Sequence, residues 1–110
     1  MKEGATLTST TTEILEYETP FVSDKFNNDF VLNVEITDLF VDSVDVTFEY
    51  REVGEPSTVI PAQTITSSGV VFQNVTVFEL GKDYEFRVSF DSEGDDLITD
   101  WEPFSISSLL

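Results

Sequence analysis

Residues 78–91 read Phe78-Glu79-Leu80-Gly81-Lys82-Asp83-Tyr84-Glu85-Phe86-Arg87-Val88-Ser89-Phe90-Asp91. Side chains alternate along an extended chain, so Tyr84, Phe86, Val88 and Phe90 share one face and Glu85, Arg87, Ser89 and Asp91 the other. The alternation starts just after a glycine turn at Gly81. A tyrosine at the mouth of such a strand has the layout of a tyrosine corner, with the ring buried in a β-sandwich and the hydroxyl bonded to backbone a few residues upstream. Tyr84 and Gly81 are therefore expected to be structural. This stretch speaks to architecture and names no reaction.

Working outward, the same period of two recurs. Residues 30–37 place Phe30, Leu32, Val34 and Ile36 on one face, and residues 44–51 place Val44, Val46, Phe48 and Tyr50 on one face with Asp45, Thr47, Glu49 and Arg51 opposite. Eight alternating residues are a strong sign of a half-buried strand. Gly54-Glu55-Pro56 and Ser67-Ser68-Gly69 read as turns. Residues 57–60 and 63–66 read as short strands around Pro61, which suits an edge. In residues 70–78 the apolar parity shifts between Phe72 and Val75, which predicts a bulge. A last strand runs through Leu97, Trp101, Phe104 and Ile106. No helical period of useful length occurs. The fold class read from this pattern is all-β: an antiparallel two-sheet sandwich of about seven strands.

The pattern Phe78-x-Leu80-Gly81-x-x-Tyr84-x-Phe86-x-Val88 resembles that of fibronectin type III domains, an immunoglobulin-like family. Phe78 and Leu80 stand where that pattern has leucine and proline. Residues 44–52 are similar to the family's third strand, and Val34-Glu35-Ile36-Thr37-Asp38-Leu39 to its second strand and turn. The resemblance covers about residues 29–107. It implies a sandwich over 29–110, preceded by an N-terminal segment, 1–28, that supplies a first strand or a docking arm. It implies little about function, since such folds host adhesion, scaffolding and binding alike.

Composition bounds the chemistry. The 110 residues include 22 Asp and Glu against 5 Lys and Arg, a formal net charge of −17. Such a surface repels nucleic-acid phosphates and anionic lipids, so neither is expected as a partner. The acidic residues run the length of the chain, and 40% of residues are hydrophobic, which is too apolar for a disordered acidic tail. An acidic, lysine-poor surface fits a protein working in very high salt; an ordinary acidic domain is the other reading. The absence of Cys and His removes disulfides, thiolate chemistry and the commonest metal ligand and general base. No glycine-rich phosphate loop occurs. The chain is not expected to be an enzyme, and no cofactor is expected.

Four weaker signals remain. Asp91, Glu93, Asp95 and Asp96 form an oxygen-rich loop of the kind that can hold a cation, although the spacing is not that of an EF-hand and a solvated acidic turn is the plainer reading. Asn74-Val75-Thr76 is an N-glycosylation sequon inside a predicted strand. Trp101 offers a stacking platform for a sugar, or a core or interface contact. Phe21, Val22 and Phe26 are apolar residues in a polar stretch, and either cap the core or dock on another subunit.

Met1 reads as the initiator of a complete product. The first residues lack the apolar segment of a signal peptide, and no apolar run is long enough for a membrane-spanning helix. The expected role is a structural or interaction module assembling with other protein subunits, itself included, as a virion component (head decoration, turret or tail protein) of a virus with a salt-loving host. The alternative is an adhesion or carbohydrate-binding accessory domain at a cell surface, within a larger protein. Either way, screening should favour the compact state: the melting temperature is expected to climb between about 0.1 M and about 3 M KCl as the Debye length shrinks from about 10 Å to a few Å. A flat melting temperature in that titration overturns the salt-adapted reading.

Overall fold

The computed structural model of this chain describes residues 9–24, 30–76, 78–79 and 81–105. These form strands β1 (Ser9–Thr11), β2 (Leu15–Glu18), β3 (Phe21–Asp24), β4 (Phe30–Leu39), β5 (Val44–Glu52), β6 (Thr58–Val59), β7 (Gln63–Ile65), β8 (Gly69–Val75), β9 (Asp83–Ser92), β10 (Asp95–Ile98) and β11 (Glu102–Ser105). The described residues contain no helix.

All pairings are antiparallel, in two sheets. In the first sheet β4 is central, with β8 on one side, β2 and β3 on the other, and β1 beyond β2. In the second sheet β5 and β9 pair along their length; β6 and β7 flank β5, and β10 and β11 flank β9. Three of these lines are interrupted: at Thr19-Pro20, around Pro61, and at residues 99–101. Followed through their interruptions, the eleven segments make seven long strands and the short β1. Proline cannot donate to a ladder, so the first two breaks fall where the sequence removes the donor.

The core lies between the sheets, where the two alternating sets meet. Leu32, Val34 and Ile36 of β4 face Val44, Val46 and Phe48 of β5 and Phe86, Val88 and Phe90 of β9, all essentially without solvent contact. Ile14 and Leu15 are equally buried in this cluster. Residues 15–18 and 21–24 are thus sheet strands, and the division expected between residues 28 and 29 does not separate the sandwich from what precedes it: removing β2 would open the core.

The bulge expected near Phe72 is absent. Pairing of β4 with β8 runs in unbroken register from Phe30 opposite Val75 to Ile36 opposite Gly69. Val71 and Val75 point inward, and the parity shift arises because Val70 and Phe72 point outward and are about half exposed. The first sheet instead has a register shift between Glu16 and Tyr17.

The chain crosses from β8 to β9 at one end of the sandwich, and aromatic rings pin the crossing. Phe78 is 4% exposed and packs against Phe30, Tyr50, Tyr84 and Phe104, with ring centroids 6.0, 5.5, 4.7 and 5.0 Å apart. Gly81 turns the chain at φ 85°, a conformation that costs a residue with a Cβ. Tyr84 is buried, and its hydroxyl accepts a 2.8 Å hydrogen bond from the Glu79 N–H. This bond closes the crossing on itself, as a tyrosine corner does. Tyr84→Phe leaves that N–H without its partner, and chemical denaturation should show a loss of about 1 kcal/mol. A variant as stable as the parent shows that the bond contributes nothing.

Candidate binding surfaces

The acidic loop resolves into a hairpin. Ser92 ends β9 and Asp95 begins β10, which leaves Glu93 and Gly94 as a two-residue turn with φ 48° and 93°. Positive φ at both positions is the geometry that a tight hairpin requires. Asp95 and Asp96 are strand neighbours and alternate in direction, so the four oxygen-rich residues do not converge. The structure instead aligns Asp96 opposite Asp91, and Asp91 opposite Asp45, in a row across three strands. The Asp91 carboxyl shares a hydrogen bond with Asp96, which, with the nearby Asp96 and Asp45 charges, holds its pKa above the ordinary value. No group of acidic residues among the described residues is arranged to hold a metal ion.

Phe21 and Val22 do not form one patch. They are consecutive on β3, so Val22 packs against the core while Phe21 lies on the outer face of the first sheet, 39% exposed. Phe26 lies outside the described residues. Phe21 belongs instead to a cross-strand row, Phe21–Asn33–Phe72, over β3, β4 and β8. The Asn33 amide is buried and donates to the Phe21 and Val31 carbonyls and the Ser23 hydroxyl. Asn74 and Thr76 of the sequon are exposed, with Asn74 on β8.

Trp101 is neither core nor a bare platform. The guanidinium carbons of Arg51 and Arg87 lie 4.1 and 4.3 Å from the centre of its ring, a cation–π arrangement. Arg51 is also paired with Glu85 at 2.6 Å, and Arg87 with Glu49 at 2.8 Å. That hydrogen bond from Arg87 holds the Glu49 carboxyl below its ordinary pKa. Lys82 bridges Glu52 and Glu79 at 3.5 and 3.2 Å. Each of the three cations in the described residues is thus bound to acids of this same chain.

A cleft of ≈ 120 Å³ lies among the described residues, in the seam where the broken line of β2 and β3 meets the broken line of β10 and β11. Tyr17, Thr10, Thr19, Pro20, Thr99, Asp100 and Glu102 line it. The breaks make the opening. At Thr99 the ladder is kept by Thr99 N–H to the Val88 carbonyl, while the Thr99 hydroxyl accepts from the Val88 N–H. At the floor Tyr17 packs on Phe90, centroids 5.0 Å apart. Glu102 pairs with the inward residue Phe86, so its carboxylate occupies an inner position on an edge strand. Burial, and next the neighbouring Asp100 charge, push its pKa above the ordinary glutamate value. Residues 97–104 hold the signal for this cleft: the apolar parity changes between Trp101 and Phe104, with an acid at the inward position between them.

No protein-family model matches this sequence, and no curated protein matches it. Among solved structures the chain is similar to the crystal structure of a bromine derivative of BhCBM56, a carbohydrate-binding module. The TM-score is 0.59 at 12% identity, over 88% of this chain and 97% of that one. At that identity the likeness is one of fold, a β-sandwich.

These carboxylates give the molecule a particular pH response. Asp91 and Glu102 bind a proton more tightly folded than unfolded, so their contribution to stability is present below their ordinary values, 3.8 and 4.5, and is lost as pH rises through the raised folded values. Glu49 acts oppositely: its contribution is present above 4.5 and is lost as pH falls through its lowered folded value. At low salt these two carboxylates should raise the melting temperature as pH falls from neutrality toward their ordinary values, and the loss of the Glu49 contribution should lower it in stronger acid. Asp91→Asn combined with Glu102→Gln should flatten the rise in a calorimetric pH series; an unchanged rise assigns it to other carboxylates.

Proposed function

We propose that this chain is a non-enzymatic carbohydrate-binding module of fibronectin type III-like architecture that holds a neutral saccharide in the cleft between Tyr17 and Glu102. The observation that carries this reading is the lining itself. An aromatic ring, threonine side chains and two carboxylates meet in one recess, and a sugar presents the complementary set: weakly polar C–H faces and a ring of hydroxyl donors. An ionised carboxylate only accepts hydrogen bonds, and its bonds to hydroxyl donors are of the strong, charge-assisted kind. Partial burial of Glu102 strengthens such bonds by limiting competition from water. The net charge selects against anionic polysaccharides and leaves neutral ones unaffected by salt.

The fold-level likeness to a carbohydrate-binding module supports the same reading, as do the sheet order and the Tyr84 corner for the fibronectin type III-like architecture. The two carboxylates stand two residues apart on one wall, whereas glycosidase carboxylates flank the bond they cleave. This supports binding without hydrolysis. A subunit of a larger assembly, such as a virion, is the second reading, and it draws on the uncharged side of the sandwich described below.

Affinity electrophoresis against a panel of neutral polysaccharides (glucans, mannans and xylans) tests the proposal. At least one should retard the protein in both low and molar salt, without release of reducing sugar. Asp100→Asn with Glu102→Gln, in a chain shown to remain folded by circular dichroism, should weaken that binding about tenfold or more. Retardation by none of the panel, or equal retardation of the double variant, refutes this site.

A further inference from the structure

From residue 56 to residue 78 the sequence contains no Asp, Glu, Lys or Arg, although the whole chain carries 22 acidic and 5 basic residues. This uncharged run supplies β6, β7 and β8, which occupy one lateral side of the sandwich, opposite the Tyr17–Glu102 cleft. Among the described residues β8 pairs with β4 alone, so its other side is a sheet edge. The Phe72 carbonyl faces that open side: the Gln63 amide of the second sheet reaches across and donates to it at 2.9 Å.

Edge strands ordinarily carry a device that discourages pairing, such as a charge, a proline, a bulge or a short length. The other edges in the described residues carry one. β1 is three residues long, β3 is four and follows Pro20, the β6–β7 edge is broken around Pro61, and the β10–β11 edge is interrupted and acidic. β8 has seven residues in continuous register, with no charge, proline or bulge. It also exposes Val70 and Phe72, 53% and 54%, on its outer face.

We propose that β8 is a self-docking strand: two copies of this chain pair antiparallel through it and extend the first sheet across a two-fold axis. Charge pattern selects a second copy as the occupant. Two bodies of −17 repel wherever carboxylates face one another, and the strands β6, β7 and β8 carry none. An antiparallel apposition centred on Phe72 is self-complementary. It sets Phe72 against its own counterpart as a cross-strand aromatic pair and Val70 against Asn74. The Phe72 carbonyl has a second lone pair, so it can accept from a partner strand while keeping Gln63. Residual long-range repulsion makes the dimer a high-salt species, because at about 1 M the Debye length is about 3 Å. The dimer does not depend on the saccharide reading, since the two sites occupy opposite sides of the sandwich.

Sedimentation velocity of the full chain in about 3 M KCl, across a concentration series, is the test. The parent should show a reversible monomer–dimer equilibrium that shifts to monomer in about 0.1 M KCl. Phe72→Lys should weaken dimerisation by about an order of magnitude or more. The added lysine lowers the net negative charge, so weaker association cannot come from greater repulsion. Val59→Lys, at an exposed position on the second sheet, should dimerise like the parent. Hydrogen exchange supplies a readout that needs no variant: the Val70, Phe72 and Asn74 amides should gain protection in molar salt. A parent that stays monomeric in molar salt overturns the proposal. So does a dimer broken by Val59→Lys and not by Phe72→Lys, or a dimer with those three amides unprotected.

Discussion

The architecture turns on the ring of Phe78. The chain must leave the first sheet after β8 and enter the second at β9, and it does so at an end of the sandwich where water could otherwise reach the core. Phe78 fills that end, touching Phe30 from one sheet and Tyr50, Tyr84 and Phe104 from the other. The hydrogen bond from the Glu79 N–H to the Tyr84 hydroxyl then fixes the direction in which β9 departs. With β9 placed, β5 follows along its length, and the β10–β11 line follows on the other side. Contacts this dense between residues far apart in sequence make the crossing a junction, and not merely a loop.

Alternation separates apolar from acidic with little overlap, and this is how so acidic a chain folds. Inner positions of β4, β5 and β9 are almost all aliphatic or aromatic, so the carboxylates fall on outer faces and turns where water solvates them. Crowding there is relieved in two ways. Arg51 and Arg87 knit Glu85 and Glu49 to the Trp101 ring across the second sheet. Further along the same sheet no cation of the described residues pairs with Asp91, which shares a hydrogen bond with Asp96 instead. The two lateral seams differ for the same reason. One has carboxylates drawn inward at a strand break, which makes a polar recess suited to hydroxyl donors. On the other side the strands β6, β7 and β8 carry no charged residue.

The sequence by itself determined what depends on neighbours along the chain. Period-two alternation in residues 30–37, 44–51 and 84–91 follows from strand geometry alone, and β4, β5 and β9 lie where it placed them. Gly81 and Tyr84 were legible because a corner is specified within a few residues. Local reading failed where a residue's fate depended on its partner. The parity shift at Phe72 looked like a bulge because an apolar residue was assumed to point inward; pairing with β4 holds the register and turns Phe72 out. Phe21 and Val22 looked like one patch until pairing with β4 sent them to opposite faces. Tertiary structure alone decided the rest. Tyr17 meets Asp100 and Glu102 because two edge lines break at the same height of one seam, and Arg51, Arg87 and Trp101 meet because three strands align. Sequence separation carries no information about such meetings, since register between strands is fixed by the packing of the whole core and not by any one segment.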